Sequence, residues 1–241
     1  MLELHQFRHS AFCLKVRLVL QAKSLSYRVV EVVPGVGQIE VFRLSGQRQV
    51  PVLVDGDFVI ADSSAIARHL EERHPVPALL PSDPQERAQV HLIEDWADTT
   101  LANAARMALA QAAAVDSTMR DALLPDALPS PLRSTVAALP GGWLQGLGDV
   151  VDQGQRAAML SSLIQLSDTV ADGPWLVGNA MSLADLSVAA QLSLLRFPAS
   201  AGPVLAGRGV AGLSDHPRLE ALFRWRDQLE AQLMQSDPAV V

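Results

Sequence analysis

Hydrophobic positions change their period along the first part of the chain. Residues 2–7 (LELHQF) and 27–33 (YRVVEVV) read as strands, while Val16, Val19, Leu20 and Lys23 within SAFCLKVRLVLQAK (10–23) recur at helical spacing. Together they predict a β-α-β unit, and residues 36–45 predict a short further helix. Val52 to Val54 and Phe58 to Ile60 are β-branched or aromatic runs separated by Asp55-Gly56, a dipeptide that favours the type I′ hairpin turn. Two antiparallel strands are expected there. Ile66, Ala67 and Leu70 then recur at helical spacing behind Asp62-Ser63, and either of those residues can cap the helix and satisfy its orphan N–H groups. Such a helix start carries roughly half a positive charge and free backbone donors, so it can hold a small carboxylate.

The pattern shifts after Val76. Prolines at 77, 81 and 84 mark residues 76–84 as a linker, and the chain from residue 85 reads as all-helical. Within it, Ser182 and Asp185 form an S-x-x-D pattern close to a capping box, with Met181 and Leu186 at the staple positions around it. Both are read as folding residues. Between Val115 and Gln155 the chain carries prolines at 125, 129, 131 and 140 and glycines at 141, 142, 146 and 148. The GGWLQGLG stretch has no strand before it and no P-loop lysine after it, so it reads as turn chemistry and not as a phosphate cradle.

Composition narrows the classes. The 241 residues are 49% hydrophobic, enough for a sizeable core and two domains, and disorder is excluded. A net charge of −7 with no basic stripe argues against a nucleic-acid partner. The single cysteine permits no internal disulfide, and MLELHQF lacks the basic and apolar regions of a secretory signal, so a cytoplasmic protein is expected. No uncharged apolar run approaches the length of a bilayer span, and no membrane anchor is expected. His5 and His9 fall on a strand and a loop, and His69 and His74 flank a helix end, so no metal site is expected.

The order β-α-β-α-β-β-α, with Val50-Pro51 just before its third strand, resembles the thioredoxin fold, which has a cis proline at that place. With the linker and the helical remainder, the chain resembles the cytosolic glutathione S-transferase family over nearly its whole length. The FRHSAFCLKVR stretch is nearest to bacterial and cyanobacterial serine-type members. The resemblance implies an α/β, thioredoxin-like glutathione-binding domain over residues 1–77 and an all-helical domain over 85–241. It also implies a homodimer, with the first domain of one subunit facing the helical domain of the other.

The resemblance assigns site residues one at a time. Family members ionise the glutathione thiol with a tyrosine near the end of the first strand, or with a serine or cysteine at the start of the first helix. Position 7 is Phe, and the only tyrosine, Tyr27, opens the second strand. Ser10 is the matching residue. It would donate to the thiolate and would not itself be a nucleophile. Gln49-Val50-Pro51 matches a Gln-Val-Pro in which the glutamine touches the cysteinyl-glycine part and the valine backbone pairs with the cysteinyl unit. Asp62 and Ser63 match an acidic-Ser pair that holds the γ-glutamyl ammonium and carboxylate. Arg43 and Arg48 are cations near these positions, with no site claimed for either. Met107, Leu109, Met119 and Trp143 are possible walls of a pocket for the second substrate, a small hydrophobic electrophile.

Cys13 offers a competing reading, since Ser10-Ala11-Phe12-Cys13 has redox C-x-x-C spacing with serine in first place. The second position lies on a helix face with Val16 and Leu20, which favours a packed thiol. Three functions follow from the resemblance. The first is a detoxifying glutathione transferase. The second is a zeta-type glutathione-dependent isomerase, whose motif is matched only by Ser10 and Lys15-Val16-Arg17. The third is a non-catalytic relative that serves as a protein-binding module.

Overall fold

The structure is a computed structural model and describes residues 1–33, 36–124 and 153–235. These residues form two compact units, Met1–Glu94 with Val177–Ala190 and Gln228–Val241, and Asp95–Leu176 with Gln191–Asp227. The first unit continues past the proline-rich linker and takes back two later pieces of chain. Among the described residues, no helix is long and apolar enough to cross a membrane.

The first unit is built on four strands, β1 (Leu2–Gln6), β2 (Tyr27–Glu31), β3 (Val52–Asp55) and β4 (Phe58–Ala61), in the order β2-β1-β3-β4. The β1–β2 pair is parallel and the other two pairs are antiparallel. Parallel pairing requires a crossover, and α1 (Ala11–Ala22) supplies it; α2 (Val36–Ser45) joins β2 to β3, and α3 (Ser63–Arg73) follows β4. This is the thioredoxin-like arrangement expected. The Asp55-Gly56 hairpin is present, with Gly56 at φ +59°, a conformation glycine adopts without a Cβ clash. Asp55 Oδ2 accepts from His69 Nε2 at 2.9 Å and pairs with Arg73 Nε at 3.1 Å, which ties the hairpin to α3. The His69 hydrogen bond holds the Asp55 carboxyl below its ordinary range.

Leu4, Val16, Val19, Leu20, Leu53, Ile66 and Leu70 are fully buried, and α1 packs on α3. Val32, Val41 and Val52 form a smaller cluster with Val50 and Ala61 packed against it. The end of α1 fixes the linker. Buried Lys23 donates from Nζ to the carbonyls of His74 (2.6 Å) and Pro77 (3.0 Å), and pairs with Glu71 at 2.6 Å. Glu71 in turn accepts from the backbone of Leu79 and Leu80. The Val50-Pro51 peptide is cis, and so is Val76-Pro77.

Among the described residues, the remaining α-helices are α4 (Pro84–Trp96), α5 (Ala102–Val115), α6 (Ser117–Ala122), α7 (Gln153–Asp172), α8 (Leu183–Leu192) and α9 (Glu220–Gln235). A π-helical turn, Ala97–Leu101, lies between α4 and α5. In the second unit, Ala113, Met119, Phe197 and Leu205 make a core cluster, joined by Leu109. The carboxylate half of the expected capping box is formed at the start of α8. Asp185 Oδ2 accepts from the Ser182 backbone N–H at 2.7 Å and from the Ser182 hydroxyl at 2.8 Å, with both residues buried. Ser182→Ala is expected to destabilise the protein by about 1 kcal/mol. Asp185→Ala should cost about 2 kcal/mol or more, because it strips the acceptor from buried donors. Urea unfolding checks both, and unchanged midpoints would contradict a folding role for the pair.

Candidate functional site

The strand register assembles the site. His5 lies opposite Val52 and Val52 opposite Ala61, while Gln6 lies opposite Glu31. The chain leaving β1, the chain entering β3 and the chain leaving β4 therefore emerge at one end of the sheet. Ser10, Val50-Pro51 and Asp62-Ser63 belong to those three segments, so residues far apart in sequence converge there. Tyr27 pairs with Leu2, at the other end of β1.

Ser10 is the N-cap of α1, with φ −78° and ψ 123°, and its hydroxyl oxygen accepts from the Cys13 backbone N–H at 3.4 Å. A side chain in this role has one lone pair committed to the helix and keeps its O–H proton for another acceptor. The turn before it is fixed by Ser10 N–H donating to the Phe7 carbonyl at 3.0 Å. Side chains fix the rest. Arg17 donates from Nη1 to Gln6 Oε1 (2.6 Å) and from Nη2 to the Arg8 carbonyl (3.2 Å). Glu31 accepts from Gln6 Nε2 (3.1 Å) and from the Arg8 N–H (2.6 Å). Burial pulls the Arg17 guanidinium below its ordinary value, against Cys13, Tyr27, Glu230 and Glu31, which favour its charge.

Asp62, and not Ser63, is the N-cap of α3. Its Oδ1 accepts from the N–H groups of Ser64 and Ala65, each at 3.0 Å. Its backbone stands at φ +81° and ψ 131°, a region a non-glycine residue occupies only at some conformational cost and which marks functional positions disproportionately. Asp62 is exposed and Ser63 is buried. Gln49 is exposed, Val50 is half-buried and Pro51 is buried at the head of β3. Among the described residues, the Val50 N–H and C=O make no backbone hydrogen bond, so both are available to an added strand. Arg43 and Arg48 are exposed, and the Arg48 guanidinium lies 5.7 Å from the Phe42 ring centre.

A buried cation below the helix starts escaped the sequence reading. Lys15 Nζ donates to Ser64 Oγ at 3.1 Å and to Glu94 Oε1 at 2.7 Å, joining α1, α3 and α4, and its side chain is fully buried. The only signal was its place one turn from Ala11 and Val19 on α1, a face where a lysine ordinarily reads as solvent-exposed.

Cys13 is fully buried, and its thiol is pushed up by that burial against the lowering effects of Ser10, the Phe7 backbone and Arg17. The expected pocket walls are corrected in part. Met119 belongs to the core cluster, Leu109 is partly buried against it, and Met107 is exposed. Trp143 and the proline and glycine positions from 125 to 148 lie outside the described residues. The second unit does hold a cavity of about 330 Å³, lined by Trp96, Thr100, Asn103, Ala104, Met159 and Ser162 among others. Among the described residues, no group of three or more His, Cys, Asp and Glu side chains could hold a metal ion.

Residues 4–82 match the family model described as Glutathione S-transferase, N-terminal domain. Maleylacetoacetate isomerase of Mus musculus is 38% identical over 97 residues, covering 38% of this chain and 45% of the relative. FtsZ-localized protein A of Caulobacter vibrioides is 29% identical over 198 residues, covering 80% of this chain and 77% of the relative. The chain spans less than half the length of the first curated relatives it matches. A solved structure of a glutathione S-transferase from Rhodospirillum rubrum shares the fold, with a TM-score of 0.64 and 24% identity over 100% of this chain and 90% of that one.

The burial of Cys13 sets a direct expectation. At mildly alkaline pH the native protein should resist a thiol-specific disulfide reagent while the unfolded chain reacts stoichiometrically. Fast, complete labelling of the native protein would restore Cys13 as a reactive group.

Proposed function

We propose that this chain, which belongs to the glutathione S-transferase family through residues 4–82, binds glutathione at the end of its sheet and ionises the thiol through Ser10 for addition to a small hydrophobic electrophile. The observation that carries this is the place of the Ser10 hydroxyl at the head of α1, where its oxygen accepts from Cys13 N–H; in the proposal its proton is given to the glutathione sulfur. A cysteinyl thiol free in water ionises at about pH 8.5, and it reacts as the thiolate. A hydrogen bond to a charged group contributes about 1.5–3 kcal/mol, equivalent to about one or two pKa units, and the helix N-terminus acts in the same direction. The thiol proton leaves to solvent and the sulfur lone pair forms the new bond to the electrophilic carbon, whose π bond breaks onto the neighbouring atom and is protonated by solvent, or whose leaving group departs with the bonding pair.

In this proposal the Val50 backbone pairs with the cysteinyl unit and Gln49 reaches the cysteinyl-glycine part. Asp62, with one oxygen engaged by the α3 amides, meets the γ-glutamyl ammonium, and Ser63 with the helix start meets its carboxylate. A cytoplasmic homodimer completes the proposal, and light scattering at the monomer mass of 25.8 kDa would refute the dimer. Zeta-type isomerisation uses the same glutathione site and is separated by direct assay with maleylacetoacetate. A relative that spans most of the chain, FtsZ-localized protein A, favours a second reading, a protein-binding module on the same fold.

Calorimetric titration of reduced glutathione in two buffers of different ionisation enthalpy separates these possibilities. Sub-millimolar binding with proton release at neutral pH is expected, and Ser10→Ala should keep binding while losing most of the proton release. Absence of binding up to millimolar levels, where binding free energies fall near about −4 kcal/mol, would overturn the enzymatic proposal in favour of the interaction module.

A further inference from the structure

We propose that Arg17 is a positioning residue for Ser10, acting through a closed ring of hydrogen bonds that holds the turn between β1 and α1. The inference rests on the thiol-activating role of Ser10 proposed above. The ring runs from Arg17 Nη1 to Gln6 Oε1, from Gln6 Nε2 to Glu31 Oε2, from the Arg8 N–H to Glu31 Oε1, and from Arg17 Nη2 back to the Arg8 carbonyl.

Its geometry bears on one short piece of chain. β1 ends at Gln6 and α1 begins at Ala11, so the turn lies beyond the sheet ladder. The backbone bond within it is from Ser10 N–H to the Phe7 carbonyl. Both polar groups of the Arg8 backbone are used by the ring, its N–H by Glu31 from the β2 side and its carbonyl by Arg17 from the α1 side. The turn is thereby held between two elements that are themselves fixed by the sheet. Two residues later the chain reaches Ser10, whose hydroxyl must meet a sulfur atom with hydrogen-bond geometry. A displacement of about 1 Å at such a position is enough to lose up to about a hundredfold in rate.

Only a planar fork closes this ring. Arg17 places its two terminal nitrogens on two different acceptors, and a lysine offers a single point donor. The groups that face it are Cys13 on α1, Tyr27 and Glu31 on β2, and Glu230 on α9, of which Glu31 and Glu230 are carboxylates of opposite sign to the guanidinium. Position 17 on α1 is two turns beyond Ser10, and helical side chains lean toward the N-terminus, which brings the guanidinium back to the turn.

The test follows thiolate absorbance of bound glutathione against pH in wild type, Ser10→Ala, Arg17→Met, Arg17→Lys and Glu31→Ala, with the affinity for S-methylglutathione measured alongside. S-methylglutathione lacks the ionisable thiol and reports only the anchoring of the rest of the ligand. Arg17→Met is expected to raise the pKa of the bound thiol by about half to one unit, a loss of roughly three- to tenfold in thiolate at a pH below both values. Affinity for S-methylglutathione should stay within about twofold, since one mispositioned hydroxyl is an effect of less than about 0.5 kcal/mol on those contacts. Arg17→Lys should behave like Arg17→Met, because the charge is kept and the ring is not. Glu31 is exposed, so Glu31→Ala opens the ring from the solvent side without emptying a core position, and it decides the matter if Arg17→Met fails to fold. It should shift the thiol in the same direction, and the double variant should shift it by less than the sum.

A bound thiol pKa unchanged in Arg17→Met or in Glu31→Ala would overturn the inference while leaving Ser10 in its role. Full rescue by Arg17→Lys would also overturn it, by showing that charge and not position matters. A wild-type bound thiol no more acidic than free glutathione overturns both the inference and the role of Ser10.

Discussion

The row of residues His5, Val52 and Ala61 runs across three strands at one end of the sheet, and the candidate site depends on it. Each strand is short, and the side chains alternate between faces, so a slip of one residue would exchange the face that carries Leu4 and Leu53 with the one that carries Val52. Leu4 and Leu53, paired across β1 and β3 and fully buried, resist that slip. Because the register is fixed, the turn carrying Ser10, the Val50-Pro51 backbone and the Asp62 cap are delivered to one place.

Buried polar contacts hold the helices to that frame. Lys15 ties the first turns of α1 and α3 to Glu94 of α4, and Lys23 ties the other end of α1 to the linker. A buried charge that loses its partner is strongly destabilising, by about 3–5 kcal/mol, so these pairs specify an arrangement even where they contribute little net stability. The ring around Arg8 does the same for a turn that no strand ladder reaches. The two helix starts at the site, capped by Ser10 and Asp62, therefore stand in fixed relation to the sheet end they share.

Local rules made much of this legible from sequence. The Asp55-Gly56 turn, the cap before α3, the Ser182–Asp185 box and the proline before β3 each rest on residues close together in the chain, where turn and capping chemistry act. What was missed depends on distant partners. Lys15 reads as a surface charge until Glu94, 79 residues away, is placed beside it. Gln6 and Glu31 carry no signal individually and Arg17 only that of a motif match, since their ring exists only once β1, α1 and β2 are assembled. The π-helical turn at Ala97–Leu101 has no sequence mark comparable to a cap. Leu109 and Met119 show the limit from the other side, because apolar spacing alone does not separate a pocket wall from a core.

A chemically coherent arrangement results: a Val50 backbone with no backbone hydrogen bond among the described residues, an acidic cap beside a helix N-terminus, and a hydroxyl at a second helix N-terminus. The proposal matches these to a γ-glutamyl tripeptide with a thiol at its centre. The most direct test is a crystal structure of the protein soaked with glutathione. The sulfur should lie within hydrogen-bonding distance of Ser10 Oγ, with the cysteinyl backbone paired to Val50 and the γ-glutamyl end at Asp62. A glutathione bound elsewhere, or with its sulfur directed away from Ser10, would contradict the proposed site.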